Sequence, residues 1–244
     1  MAEAADDSAV DLLEHRFAGL DNSLWAVRDD TFPSNLALFT PQNFTLGADR
    51  TVRLTIQKER TPVREFTSAA LCSRRRYLYG RFVAGVRPAS APGLITGVFL
   101  HRNSPRQEID IEFIGKDTRK MLVNVFYNPG FDGDRMEYGY RGAPTLIDLG
   151  FDASEDFHEY EIEWCATAIR WRVDGRLVYE RVNWDPTPIP HLPMQFNFNL
   201  WHSRSRELAG RLNLSDLPAT AELRALHVCT RHVALRPARP SHVR

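Results

Sequence analysis

The 244-residue chain lacks an excess of charge of either sign. It carries 31 Lys and Arg against 31 Asp and Glu, so its formal net charge is zero. A balanced surface leaves no electrostatic footprint for nucleic acid or for an anionic membrane. Cysteine is scarce too. Cys72, Cys165 and Cys229 are odd in number and widely spaced, which argues against a disulfide framework and a zinc site. No apolar run approaches the ~20 residues of a membrane-spanning helix. Met1 to Glu14 is acidic and has no apolar h-region, so no signal peptide is expected in it. The compartment stays open between a cell interior and secretion after loss of a leader. Helical periodicity is also nearly absent.

What the chain has in quantity is period-two alternation. Val52, Leu54 and Ile56 alternate with polar residues, as do Tyr160, Ile162 and Trp164 with Glu159, Glu161 and Glu163. Met121 to Asn128 and Gln195 to Trp201 alternate in the same way. Ile169, Trp171 and Val173 lead into Asp174-Gly175, a tight-turn pair, and then Leu177 to Tyr179, which reads as a hairpin. Pro186, Pro188, Pro190 and Pro193 mark an extended connection, and Asn128 to Gly142 a polar loop. Many short strands with turn signals between them predict an all-β, two-sheet sandwich. No repeat or linker divides the chain. Residues 1–16 are expected to form a tail, 17–235 one domain and 236–244 a second tail.

One strand stands apart. In Gln107 to Gly115, the acids Glu108, Asp110 and Glu112 alternate with Ile109, Ile111 and Phe113. A strand sends alternate side chains to opposite faces, so the acids share one face. Core packing explains the apolar face, but three adjacent like charges repel. In a chain of this composition such spacing should arise by chance roughly half a time, so a solvated strand face is the plain alternative. The chemistry that uses two carboxylates across a cleft is glycoside hydrolysis. Cα atoms four residues apart on a flat strand are ~13 Å apart, whereas a retaining pair brings its carboxyl groups to ~5–5.5 Å. Two glutamates reaching over a shorter Asp110 on a curved sheet would close that gap. Coupled carboxylates hold one proton to higher pH, which suits a general acid.

The string Glu108-Ile-Asp-Ile-Glu-Phe-Ile-Gly115 closely resembles the active-site signature of glycoside hydrolase family 16. Tyr79 to Phe82, Phe157 to Trp164 and Asn199-Leu200-Trp201 resemble other strands of that family, so the resemblance covers about residues 40–230. It implies a curved, concanavalin A-like β-jelly roll with substrate on the concave face and a mechanism retaining anomeric configuration. It further implies Glu108 as nucleophile, Glu112 as acid/base and Asp110 as the assisting acid. The signature here has no residue inserted after the Asp. That resembles lichenases and xyloglucan transglycosylases rather than the bulged laminarinases, agarases and carrageenases. The expected substrate is therefore a β-glucan with 1,4-linked stretches, foremost mixed-linkage β-1,3-1,4-glucan.

The substrate-binding candidates are Trp201, Asn199, Asn124, His101 and Phe99. Trp201 lies on the polar face of its strand, where it is expected to stack on a sugar ring. Asn124 reads equally as a hydroxyl ligand or as a satisfied buried amide. The chain also departs from the lichenases. Pro105-Arg106-Gln107 stands where they carry a Trp. Ala70 and Cys72 stand where they carry Glu and Arg, and His101 where they carry Tyr. Ala225 replaces a calcium-binding Asp, so no metal and no cofactor are expected. The expected partner is a polysaccharide, with no nucleic acid and no membrane, and the expected state a monomer. A transglycosylase using the same acids and a non-catalytic lectin-like sandwich are the alternatives.

Overall fold

The computed structural model describes residues 10–15, 19–134, 142 and 144–231. In chain order the first strands are β1 (Val10–His15), β2 (Trp25–Val27), β3 (Ala37–Phe39), β4 (Phe44–Leu46), β5 (Val52–Ile56) and β6 (Phe66–Ser68). They are followed by β7 (Ala70–Tyr77), β8 (Gly80–Arg87), β9 (Leu94–Arg102), β10 (Gln107–Ile114) and β11 (Lys120–Tyr127). The chain continues through β12 (Thr145–Asp148), β13 (His158–Trp164), β14 (Ala168–Val173), β15 (Arg176–Val182) and β16 (Met194–His202). A short helix α1 (Arg206–Ala209) precedes the long last strand β17 (Ala219–Arg231).

Two antiparallel sheets result. A seven-stranded sheet runs β12-β11-β10-β9-β16-β7-β2. An eight-stranded sheet runs β15-β14-β13-β8-β17-β5-β4, with β1 also paired to β17. The expectation of a tail over residues 1–16 is therefore corrected: Val10–His15 adds a strand along Leu226–Arg231. The segment has too few alternating residues to declare itself, and the partner strand's free edge supplies the reason to extend. Residues 236–244, expected as a second tail, lie outside the described residues. Two short strands, β2 and β3, lie near the start of the domain.

Alternation is what holds the sheets together. Ile109, Ile111 and Phe113 of β10 are fully buried. They share one core with Val98 and Leu100 of β9, Phe196 and Phe198 of β16, and Tyr160, Ile162, Trp164 and Trp171 of the opposite sheet. Each large side chain so buried contributes ~1.5–3 kcal/mol. The Asp174-Gly175 hairpin forms as expected, both residues having positive φ (48° and 77°), as the favoured two-residue turn requires. Inward-facing apolar residues leave the other face of the seven-stranded sheet to carry the acids.

Candidate active site

The strand β10 lies between β9 and β11, and its register is unbroken from Glu108 to Glu112 on both sides. Side chains therefore stand in rows across the sheet. Glu108 is flanked by His101 and Phe126, Asp110 by Phe99 and Asn124, and Glu112 by Gly97 and Leu122. The strand β16 continues the rows with Gln195, Asn197 and Asn199. Beyond it, Cys72 and Ala70 of β7 stand opposite Asn197 and Asn199. The structure thus gathers Glu108, Asp110, Glu112, His101, Phe99, Asn124 and Asn199 on one face.

Strand geometry places successive acids ~7 Å apart, where two full charges repel by about 2 kcal/mol at an effective dielectric near 20. At ~1.4 kcal/mol per pKa unit, that is enough to move a titration. Asp110, only 4% exposed, is raised well above the usual range, chiefly by burial and then by the charges of Glu108 and Glu112. Its carboxyl also hydrogen-bonds Glu108, an interaction made by the protonated form. Glu112 is pushed up to about 7, again by burial first and then by Glu108. Burial and mutual repulsion thus favour the protonated forms of Asp110 and Glu112. Glu108 is paired with a cation: Arg106 donates from Nε (3.2 Å) and Nη2 (2.7 Å) to its Oε2. His101, opposite Glu108, is lowered by burial and stays neutral.

Trp201 differs from the expected open platform. It is 9% exposed, stands opposite Ile95 one row beyond Glu112, and packs edge-on against Phe32 at 5.2 Å. Its side chain hydrogen-bonds Glu112, favouring the ionised form. A Trp on a polar face reads from sequence as a sugar platform because Phe32, 169 positions earlier in the chain, covers it only after folding. Asn199 is 4% exposed, and among the described residues its Oδ1 has no hydrogen-bond partner. That oxygen fills the space above Gly97, where an added Cβ would lie 2.7 Å from it. Asn124 is 8% exposed and accepts from the Val125 backbone N–H at 2.9 Å.

In the sequence Arg106 stands out only as a departure from the lichenases, and Arg102 carries no signal at all. Arg102 is 5% exposed and lies inside the β9–β10 turn. It donates to the carbonyls of Ser104 (2.6 Å), Pro105 (3.1 Å) and Pro193 (3.1 Å) and pairs with Asp132 at 2.5 Å. A recess at the Glu108 end is lined by Arg76, His101, Gln195 and Asp132. Another, near Glu112, is lined by Leu122, Leu146, Leu208, Lys116 and Lys120. Among the described residues no group of three His, Cys, Asp or Glu is placed to hold a metal ion. Ala225 stands opposite Gly85 and offers no side-chain oxygen.

A two-sheet sandwich whose outer face carries a row of coupled carboxylates, one of them paired with a cation, has the architecture of a jelly-roll glycoside hydrolase. Residues 34–215 match the family model for glycosyl hydrolases family 16, and the chain belongs to that family. A β-glucanase of Brevibacillus brevis is 36% identical over 171 residues, 68% of this chain and 60% of the relative. The chain thus spans less than two thirds of that relative's length. Among solved structures, a prokaryotic β-1,3-1,4-glucanase (lichenase) from a mouse hindgut metagenome is 26% identical with a TM-score of 0.77, covering 89% of this chain and 98% of that one. The Bacillus licheniformis β-glucanase is 25% identical with a TM-score of 0.77, covering 90% and 98%.

Proposed function

We propose that the chain is a retaining, endo-acting β-glucan hydrolase, with mixed-linkage β-1,3-1,4-glucan as its foremost substrate. The observation that carries the mechanism is the polarity of the ladder: Glu108 is paired with Arg106, while Glu112, raised to about 7, holds a proton. In the first step the Glu108 carboxylate bonds to the anomeric carbon. The glycosidic C–O bond breaks, and the Glu112 proton passes to the leaving oxygen. In the second, Glu112 takes a proton from water as its oxygen attacks the same carbon. The ester bond to Glu108 breaks, and the product leaves with its original anomeric configuration. Asp110 holds its proton towards Glu108 and tunes both neighbours.

The substrate reading is supported by the unbroken register of β10, which has no bulge between Glu108 and Glu112, and by the β-glucanase and lichenase names of the relatives. Digestion of barley-type mixed-linkage glucan, laminarin and xyloglucan tests it, with product lengths and product anomers followed by proton NMR. Mixed-linkage glucan should be cut fastest, with the β-anomer appearing first. Preference for laminarin would overturn the linkage argument, and α-anomer first would overturn retention. Sugar transfer in place of hydrolysis would identify the transglycosylase instead.

A further inference from the structure

We propose that Arg106 is a positioning residue of the acid ladder. Braced on Phe126, it grips Glu108 by one oxygen and supplies a positive charge beside the other two acids. The inference rests on the hydrolase reading above.

The placement is built into the chain around it. Arg106 is the last residue before β10, and alternation puts it on the face of Glu108. Gln107 between them is fully buried on the other side. Its Nε2 donates to the Asn128 carbonyl at 3.0 Å, and its Oε1 accepts from the N–H groups of His191 (3.0 Å) and Leu192 (3.2 Å). A slip of one residue would break all three bonds and turn the ladder inward. The turn before Arg106 is fastened from within by Arg102. The backbone at Arg106 is therefore set before any ligand arrives.

The side chain is held as firmly. Its guanidinium carbon lies 4.2 Å from the centroid of Phe126, the residue paired across from Glu108. Both donating nitrogens converge on Oε2, leaving Oε1 without a contact from Arg106. A guanidinium held between a ring face and a carboxylate loses little freedom on binding and makes charge-assisted bonds, unlike an exposed ion pair. Glu108 is 12% exposed and Arg106 41%, so the cation caps a sheltered carboxylate.

The charge reaches beyond its partner, since Arg106 favours ionisation of both Asp110 and Glu112. Among the described residues, other groups do not supply this. From β9, His101 is neutral, and from β16 Gln195 has no charge. Phe126 faces the ladder from β11, Arg76 of β7 is exposed at the far side of Gln195, and Arg102 is paired with Asp132. Arg28, beyond β2, is paired with Asp30. Where the lichenase-like pattern has an aromatic residue, this chain places a cation that sets the geometry and field of the acids.

The test compares wild type with Arg106→Met and Arg106→Lys, measuring kcat, KM and pH profiles on glucan beside melting curves. Arg106→Met should lower kcat at least about tenfold, the scale of a lost charge-assisted bond, with a smaller change in KM. Its alkaline limb should move to higher pH, because Glu112 loses a neighbouring cation. Arg106→Lys should return that limb towards the wild-type position and recover part of kcat. A rise in KM alone would make Arg106 a substrate contact, and unchanged kcat and alkaline limb would also overturn the inference. Should Arg106→Met fail to fold, Arg106→Lys decides: reduced kcat at a kept melting temperature supports the grip, and wild-type kinetics overturn it. The hydrolase reading is checked separately with a 2-deoxy-2-fluoro glucan-oligosaccharide bearing a dinitrophenyl leaving group. Wild type that neither cuts glucan nor becomes labelled at Glu108 refutes that reading. Labelled, active wild type with an indifferent Arg106→Met refutes only the role of Arg106.

Discussion

The indole Nε1 of Trp171 donates a hydrogen bond of 3.1 Å to the carbonyl oxygen of Asp110. The two residues are 61 positions apart and belong to opposite sheets. Trp171 is fully buried, so it joins the core to the backbone of the acid strand at its central carboxylate. Trp171→Phe keeps most of the apolar bulk and removes the donor. The expected cost is about 0.5–1.5 kcal/mol, the net worth of one hydrogen bond, read as a lower urea midpoint. A fall in kcat should accompany it, because Asp110 is then less firmly placed.

Glu108 and Glu112 should separate cleanly by chemical rescue. Glu108→Ala removes the bond-forming atom, so cleavage of an activated aryl glucoside should nearly vanish. Azide added to it should give a product of inverted configuration. Glu112→Ala should spare the first step with a leaving group that needs no proton, and azide should then give a retained product. The anomeric configuration of the two adducts, read by NMR, checks the assignment, and exchanged outcomes would reverse it.

The proton on Glu112 has a cost in stability. With a folded pKa about 7 against a usual 4.5, the folded state keeps a proton that the unfolded state releases between those values. The unfolded state then binds fewer protons, so stability falls as pH rises from about 4.5 to 7. The full effect is at most ~3 kcal/mol. Glu112→Gln should therefore melt higher than wild type at pH 8, with little difference at pH 4. Glucan cleavage by wild type should decline with an alkaline limb near pH 7 as the acid loses its proton. Thermal scans and kcat/KM at matched pH values check both halves.

Trp201 should behave as a buried partner of Glu112 rather than as an exposed platform. Trp201→Ala should destabilise by about 3–5 kcal/mol, as loss of a large packed ring does. Trp201→Phe preserves packing against Phe32 but removes the indole donor. Since that bond favours ionised Glu112, its loss should shift the alkaline limb upward without a comparable loss in melting temperature. Weakened glucan binding in affinity electrophoresis, at unchanged stability and pH profile, would restore the stacking role.

Asn199 carries a buried oxygen with no partner among the described residues, beside Gly97 and in the row of Glu112. A sugar hydroxyl is a fitting donor for it. Asn199→Ala removes that acceptor and should raise KM more than it lowers kcat. Steady-state kinetics across pH check this.

Period-two alternation in the sequence determined the sandwich class, the face shared by Glu108, Asp110 and Glu112, and the burial of Trp164 and Trp171. These follow from neighbours two residues apart on an extended backbone, which need no knowledge of what packs above them. The Asp174-Gly175 turn was legible for the same reason, since a two-residue loop with positive φ depends on those residues alone. Tertiary structure decided the rest. Val10–His15 became a strand because β17 left an edge for it. Phe32 packs against Trp201 only in the folded chain, and the Trp171–Asp110 bond exists only where two sheets meet. The grip of Arg106 on Glu108 joins near neighbours, yet Arg102, Gln107 and Phe126 set it through contacts with distant carbonyls and an adjacent strand. Such contacts depend on register and on the distance between sheets, which no local pattern encodes.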